Sequence, residues 1–249
     1  MKKGKVYIVG AGPGDPELLT LKGKRLLETA EVVIYDRLVS DEILDFIPLE
    51  AERIFVGKEP AFHSIPQRNI NGLLVTKAKS GKSVVRLKGG DPYTFGRGGE
   101  EGEALAAEDI PFEVIPGVSA ASGAAAYAGI PLTDRRCSSG VTFVTGHKRA
   151  GKDLADINWK ALAGLNQTIV FYMGIKNLPT ITKNLRSNGM AKEMPAAVVR
   201  LATTKEQKTV TGTLENIKEK VEAATVRPPA LLVVGKVVNL RTFLNWFDK

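Results

Sequence analysis

The chain has 249 residues, 43% hydrophobic and 25% charged, the make-up of a globular protein with room for two modest domains. No apolar run approaches the ~20 residues of a membrane-spanning helix, and a single cysteine, Cys137, excludes an internal disulfide and an all-cysteine metal site and suits a reducing cytosol. Lysine and arginine outnumber the acids by 35 to 27, a formal charge of +8. The basic residues are dispersed and aromatics make up only 6%, which argues against a base-stacking nucleic-acid surface. A polyanionic small substrate or simple surface solubility remains.

In chain order, the basic start MKKGKVYIVG leads through a short apolar run at 5–9 into GAGPGD, the pattern of a first strand and turn rather than of a secretion signal. Helical spacing follows over 18–30, a second strand over 31–35 and a third over 53–56. A helix is expected over 67–79, then strands at 83–87 and 112–115. Strands separated by helices predict a mostly parallel sheet covered on both faces. Ligands then bind beyond the carboxyl ends of the strands. Those ends carry GAGPGD (10–15), YDRLVSD (35–41), VGKE (56–59), KGGDP (88–92) and PGVSA (116–120).

Past residue 120 the texture changes. GIPLTDRRCSS (129–139) reads as a connector, and further strands are expected at 141–145, 168–172, 195–201, 208–212 and 230–234. Helices are expected at 176–187 and 214–223, and the stretch 203–207 suits a hairpin. A mixed second sheet follows. The fold class is therefore α/β, with two α/β domains, 1–118 and 119–249, and a cleft between them.

The most informative stretch is RLKGGDPYTFGRGGEE (86–101). It follows a strand and packs five glycines among Arg86, Asp91, Arg97 and Glu100, which reads as a ligand-facing loop. GAGPGD with Asp36 downstream is reminiscent of a dinucleotide fingerprint, but Asp15 stands at its third glycine and Pro13 removes a backbone donor. SGKS (80–83) precedes a strand instead of following one, so it is a turn and not a phosphate loop. His63 and His147 have no metal-ligand spacing to other ligating residues, and no nucleophile elbow is present. PGVSAASG (116–123) opens a small-residue helix whose free N–H groups and Ser119 suit an anion or an ordinary cap.

Taken together, VGAGPGDPELLTLKG, YDRLVS, VGK, RLKGGDPYTFGRGGEE, PGVSAASG, GIPLT, VTGH, FYMG, PPALLVVG and LNWF resemble the S-adenosylmethionine-dependent tetrapyrrole methylases, above all those acting on uroporphyrinogen III. The resemblance runs over nearly the whole chain. It implies methyl transfer from S-adenosylmethionine to two pyrrole-ring carbons of uroporphyrinogen III, giving precorrin-2, with a later corrinoid intermediate as the alternative substrate. By the same resemblance, Pro13, Gly89, Gly90, Asp91, Thr94, Ser119, Ala120, Met173, Ala202 and Ala230 line the methyl-donor site. Ser119 stands where many relatives have threonine, and Leu201–Ala202 departs from the family's usual pair. Arg37, Arg97, Glu100, Arg135, His147 and Met173 contact the octa-acid substrate. Asp36 and Lys58 are the implied proton acceptor and donor. No metal, nucleic acid or membrane is implied; a cytoplasmic homodimer is.

Overall fold

The structure, a computed structural model, describes residues 3–57, 65–147 and 154–247. The chain divides into two compact units, Met1–Ala120 and Ala121–Lys249. In the first, strands β1 (Val6–Gly10), β2 (Val32–Tyr35), β3 (Glu52–Phe55), β4 (Val84–Lys88) and β5 (Phe112–Ile115) form one sheet. The order is β3-β2-β4-β1-β5, and every pairing is parallel.

Parallel strands need crossover helices, and these cover both faces. Helices α1 (Leu21–Glu28) and α2 (Asp41–Leu44) pack with Val9, Val33, Val85 and Leu87, through Leu27 and Ile43. The opposite face, bearing Val6, Ile8, Val32, Ile34 and Val84, is covered by α3 (Gln67–Lys79) and α4 (Gly98–Ala106), through Ile70, Leu74 and Leu105. Both faces of each central strand are thus buried, and each fully buried Leu, Ile or Val contributes roughly 1.5–3 kcal/mol.

The second unit opens with α5 (Ala120–Ala128), whose first residue belongs to the preceding unit. Its sheet contains β6 (Val141–Thr145), β7 (Thr168–Tyr172), β8 (Pro195–Arg200), β9 (Lys208–Thr213) and β10 (Ala230–Val234), in the order β6-β7-β10-β8-β9. β6 and β7 are parallel; the remaining pairings are antiparallel, so the sheet is mixed as expected. β8 and β9 form the hairpin anticipated around 203–207. Ile169, Phe171, Val198 and Leu232 meet α6 (Trp159–Gly164), α7 (Leu178–Ser187) and α8 (Ile217–Ala223) through Trp159, Ile181, Leu185, Ile217 and Val221. A last short helix, α9, spans Arg241–Leu244.

Three local expectations change. The helix read at 18–30 is a 3₁₀ turn, Pro16–Leu18, followed by α1. Asp15 and Thr20 each accept a backbone N–H at an N-cap, from Glu17 (2.9 Å) and Gly23 (3.1 Å), so the chain restarts between them. The acid at the third-glycine position of GAGPGD is therefore a cap. The end of the glycine-rich stretch is not loop but α4, and α6 was not foreseen. In α4 two of the three glycines serve close packing, Gly99 facing open space: a Cβ on Gly98 would lie 2.7 Å from the Pro92 carbonyl oxygen, and one on Gly102 3.2 Å from the Phe112 ring.

Candidate functional site

The strand-end segments anticipated from sequence leave the carboxyl edge of the first sheet, VGKE being described only at 56–57, and they hold one another. Gly12 and Gly90 exchange backbone hydrogen bonds (3.2 and 2.6 Å), and the Ala11 N–H donates to the Lys88 carbonyl (2.7 Å). The Ser40 hydroxyl donates to the Gly14 carbonyl at 2.8 Å. Gly89 sits against Leu38, where a Cβ would approach the Leu38 Cβ to 2.5 Å, and Gly57 sits similarly close to the Arg37 nitrogen. Gly90 has φ +69°, a conformation that costs glycine nothing. Gly10, Gly90 and Gly117 meet backbone to backbone: a Cβ on Gly117 would lie 2.3 Å from the Gly90 oxygen, and one on Gly10 2.6 Å from the Gly117 nitrogen. The result is a floor without side chains at the edge where ligands bind in parallel α/β sheets.

Asp91 fastens this floor to its neighbours. Its Oδ1 accepts from the backbone N–H of Tyr93 (2.9 Å) and Thr94 (3.0 Å) and from the Thr94 hydroxyl (3.1 Å), and its Oδ2 accepts from Gly117 N–H (3.2 Å). The carboxylate is occupied within the loops, so Asp91 shapes the site rather than offering both oxygens to a ligand. Pro13, Thr94, Ser119 and Ala120 are half-buried along the same edge.

The charged residues of 86–101 separate into two groups. Arg97, with φ +60°, caps α4 and forks onto Glu100 (Nε–Oε1 2.9 Å, Nη2–Oε2 2.7 Å) at the surface. Sequence reading aimed both side chains at a ligand; here each engages the other. The Glu100 hydrogen bonds, with the Glu100 and Glu101 charges, tighten the Arg97 guanidinium's hold on its proton against a smaller opposing effect of burial. Arg86, read as part of a ligand-facing loop, is instead 3% exposed within β4. Its Nε donates to Glu101 (2.9 Å), its Nη1 to the carbonyls of Ile34 (3.3 Å) and Leu87 (3.0 Å), and its Nη2 to Asp36 Oδ2 (3.3 Å). Glu101, fully buried on α4, also accepts from Lys88 Nζ (2.9 Å) and Gln67 Nε2 (3.1 Å). Desolvation, then the Arg86 charge, pulls the Lys88 ammonium below the usual lysine range, against the opposing pull of Glu101 and Asp36. Asp36 lies just past β2, partly exposed, with Oδ1 accepting the Leu38 N–H (3.1 Å). Arg37 beside it is exposed. Lys58 and His63 lie outside the described residues.

In the second unit, strand register gathers four of the expected residues at one sheet edge. Ala230 begins β10 opposite Arg200 at the end of β8, leading to Ala202, and the Leu201 N–H donates to the Pro229 carbonyl (3.3 Å). Met173 follows β7, and the Gly146 N–H donates to the Tyr172 carbonyl (2.7 Å), which brings His147 to the same edge. Met173, Leu201 and Thr203 all have positive φ (56°, 44° and 71°) without being glycine. Such strain costs of order 1–3 kcal/mol at each residue and collects at functional sites. Met173 is also half exposed. Arg135 does not join them. It sits in the Asp134–Ser138 turn, which bonds to Thr168 at the opposite end of β7, roughly 16 Å along the strand. There Arg136, not Arg135, pairs with Asp134 (2.9 Å) and holds that carboxyl at about 2. Among the described residues no group of three or more His, Cys, Asp or Glu is arranged to hold a metal ion, and no helix is long and apolar enough to cross a membrane.

A backbone floor at the carboxyl edge of a doubly wound parallel sheet, walled by polar loops, is the arrangement in which α/β proteins bind small molecules. The particular family follows from comparison. The sequence profile of the tetrapyrrole (corrin/porphyrin) methylases matches residues 5–218, and the chain belongs to that family. A uroporphyrin-III C-methyltransferase from Thermus thermophilus, solved with S-adenyl homocysteine, is 42% identical over 95% of this chain and all of that one, with a TM-score of 0.82. A cobalt precorrin-4 methyltransferase is 29% identical over 94% of this chain and 95% of its own, with a TM-score of 0.83. The siroheme synthase of Pseudoalteromonas atlantica is 54% identical over 98% of this chain and 53% of its own length. The chain thus spans about half the length of the curated relatives it matches.

Proposed function

We propose that the chain transfers methyl groups from S-adenosylmethionine to two pyrrole-ring carbons of uroporphyrinogen III, releasing S-adenosylhomocysteine and forming precorrin-2. The observation that carries this is the 42% identity, over 95% of this chain, to the Thermus C-methyltransferase solved with S-adenyl homocysteine. The residues fit such a donor: the glycine floor admits a ligand against backbone, and the strained, half-exposed Met173 stands with Ala202 and Ala230 at one edge. In this reading Pro13, Gly89, Gly90, Thr94, Ser119 and Ala120 contact the donor, and Met173, Ala202 and Ala230 contact its adenosine.

The donor supplies an already activated methyl on a sulfonium. What the protein contributes is alignment, exclusion of water and management of one proton. As the pyrrole carbon bonds to the methyl carbon, the carbon–sulfur bond breaks, and the methylated ring then loses a proton. Asp36 at the mouth of the sheet is the acceptor in this reading, with Lys58 as donor. Arg37 and Arg97 attract the substrate carboxylates, Arg97 exchanging Glu100 for one of them, while Glu100 turns to the pyrrole N–H groups and His147 lines the site. The enzyme works as a cytoplasmic homodimer.

The test is direct. Uroporphyrinogen III incubated with isotopically labelled S-adenosylmethionine yields a product two methyl groups heavier, and calorimetry detects S-adenosylhomocysteine but not NADH. The 29% identity to the cobalt precorrin-4 enzyme favours a second reading, methylation of a later corrinoid. Unmethylated uroporphyrinogen III alongside a methylated precorrin would establish that one instead.

A further inference from the structure

The proton-accepting role given to Asp36 leaves three buried charges unused. Arg86, Lys88 and Glu101 are together almost wholly removed from solvent. Charges so buried demand mutual compensation, which they find: Glu101 Oε1 alone receives Arg86 Nε, Lys88 Nζ and Gln67 Nε2. The backbone explains why they meet. Val32 and Ile34 lie on the face of the first sheet covered by α3 and α4, as does Val84, and strand alternation sends Asp36, Arg86 and Lys88 to that face. Glu101 comes down onto them from α4, and Gln67 from the first turn of α3.

Arg86 is the link to the site. Glu101 and two backbone carbonyls hold its guanidinium plane on Nε and Nη1, which leaves Nη2 aimed at Asp36 Oδ2. Asp36 is the one member of the cluster with substantial exposure, a quarter of its side chain. The cluster therefore runs from the interior of the first unit to a carboxylate at the carboxyl edge of its sheet. A guanidinium fixed at two of its nitrogens can orient such a carboxylate with the third as a lysine ammonium could not.

We propose that Glu101 is a positioning residue for Asp36, acting through Arg86: it locks the guanidinium that orients the Asp36 carboxylate, and its charge balances the two cations, Arg86 and Lys88, that Asp36 would otherwise face alone. This rests on the reading of Asp36 as proton acceptor. Among the described residues the charged groups around Asp36 are Arg86 and Lys88 from β4, Glu101 from α4 and Arg37 on its own loop; Gln67 and Asn71 of α3 are neutral. Removing the Glu101 charge frees the guanidinium that aims at Asp36 and leaves the two cations uncompensated.

The experiment compares Glu101→Gln, Arg86→Lys, Asp36→Asn and the pairs E101Q/D36N and R86K/D36N in single-turnover methyl transfer, with S-adenosylhomocysteine affinity measured by calorimetry. The expected result is a roughly tenfold to hundredfold loss of rate in E101Q and R86K, with tetrapyrrole KM and thioether affinity changed less than about twofold. Neither change costs further rate once Asp36 is Asn. R86K, which keeps the charge, decides the matter should E101Q fail to fold. Parental rates in both variants, or equal losses with and without Asp36, overturn the inference while Asp36→Asn remains impaired. Parental rate in Asp36→Asn overturns the reading of Asp36 itself, and this inference with it.

Discussion

At the scale of single residues, Asp91 and Arg97 separate two ways of serving a site. Asp91 spends its carboxylate on Tyr93, Thr94 and Gly117, so its loss loosens the β4 and β5 loops together. Asp91→Ala is expected to lower stability by about 1.5–3 kcal/mol, read from denaturant melts. It should weaken S-adenosylhomocysteine binding tenfold or more in calorimetry, with a smaller effect on tetrapyrrole KM. Arg97 is exposed and paired only at the surface with Glu100. Arg97→Ala should change stability by less than about 1 kcal/mol and chiefly raise KM for the polyacid. An unchanged KM places Arg97 outside the substrate site. The sequence made both look alike, as charges in one glycine-rich stretch. Only the hydrogen-bond partners tell a loop fastener from a surface charge.

At the scale of elements, much of the fold was legible and the exceptions have physical causes. Strands β5, β6, β7 and β10 and helix α3 fall where hydrophobic spacing put them. The helix α4 was hidden because GGEEG carries the composition of a loop, although Gly98 and Gly102 serve contact with Pro92 and Phe112. The short α6 offers too few turns for a period. Arg86 and Lys88 alternate with Val85 and Leu87 as in a half-exposed strand, but both faces of β4 are covered, and the compensating acid lies on a different element. The site edge in the first unit was readable because parallel topology sends every loop one way. Its counterpart around Met173, Leu201 and Thr203 depends on antiparallel register and on positive φ at non-glycine residues, which leave no mark in composition.

One element contact also sets an acid limit. Glu113 on β5 accepts from Lys5, just before β1, at 2.8 Å, and from Lys22 of α1. The Lys22 bond, then the Lys5 bond, pulls its carboxyl from the usual 4.5 to about 2. A folded value below the unfolded one means this support is complete above about pH 4.5 and is lost as pH falls through about 2. Glu113→Gln should therefore flatten the fall in melting temperature across that window and leave its slope at neutral pH unchanged. An identical acid profile in the variant refutes the assignment.

For the whole molecule, the relevant quantity is the net charge of +8, set against the eight carboxyl groups of the proposed substrate, uroporphyrinogen III. Screening of exposed charges grows as the Debye length shrinks from about 10 Å at 0.1 M salt to 3 Å at 1 M. Raising salt over that range should increase KM for uroporphyrinogen III severalfold, with S-adenosylhomocysteine affinity changed far less. Equal sensitivity of both ligands would tie the charge to something other than substrate attraction. The same surplus was visible in composition alone, but there it was equally compatible with plain surface solubility.

The meeting of Gly10, Gly90 and Gly117 limits how this site can be redesigned. Their backbones already touch, so the floor has no side chain to trim, and adding even a methyl at Gly117 displaces the turns after β1 and β4 together. In the proposed reading, a variant intended to accept a sulfonium bearing a bulkier alkyl group has to gain its room beside the floor, at Thr94 or Ser119. Libraries that randomise the glycines would return mostly misfolded chains, whereas libraries at those two positions explore new donors on an intact platform.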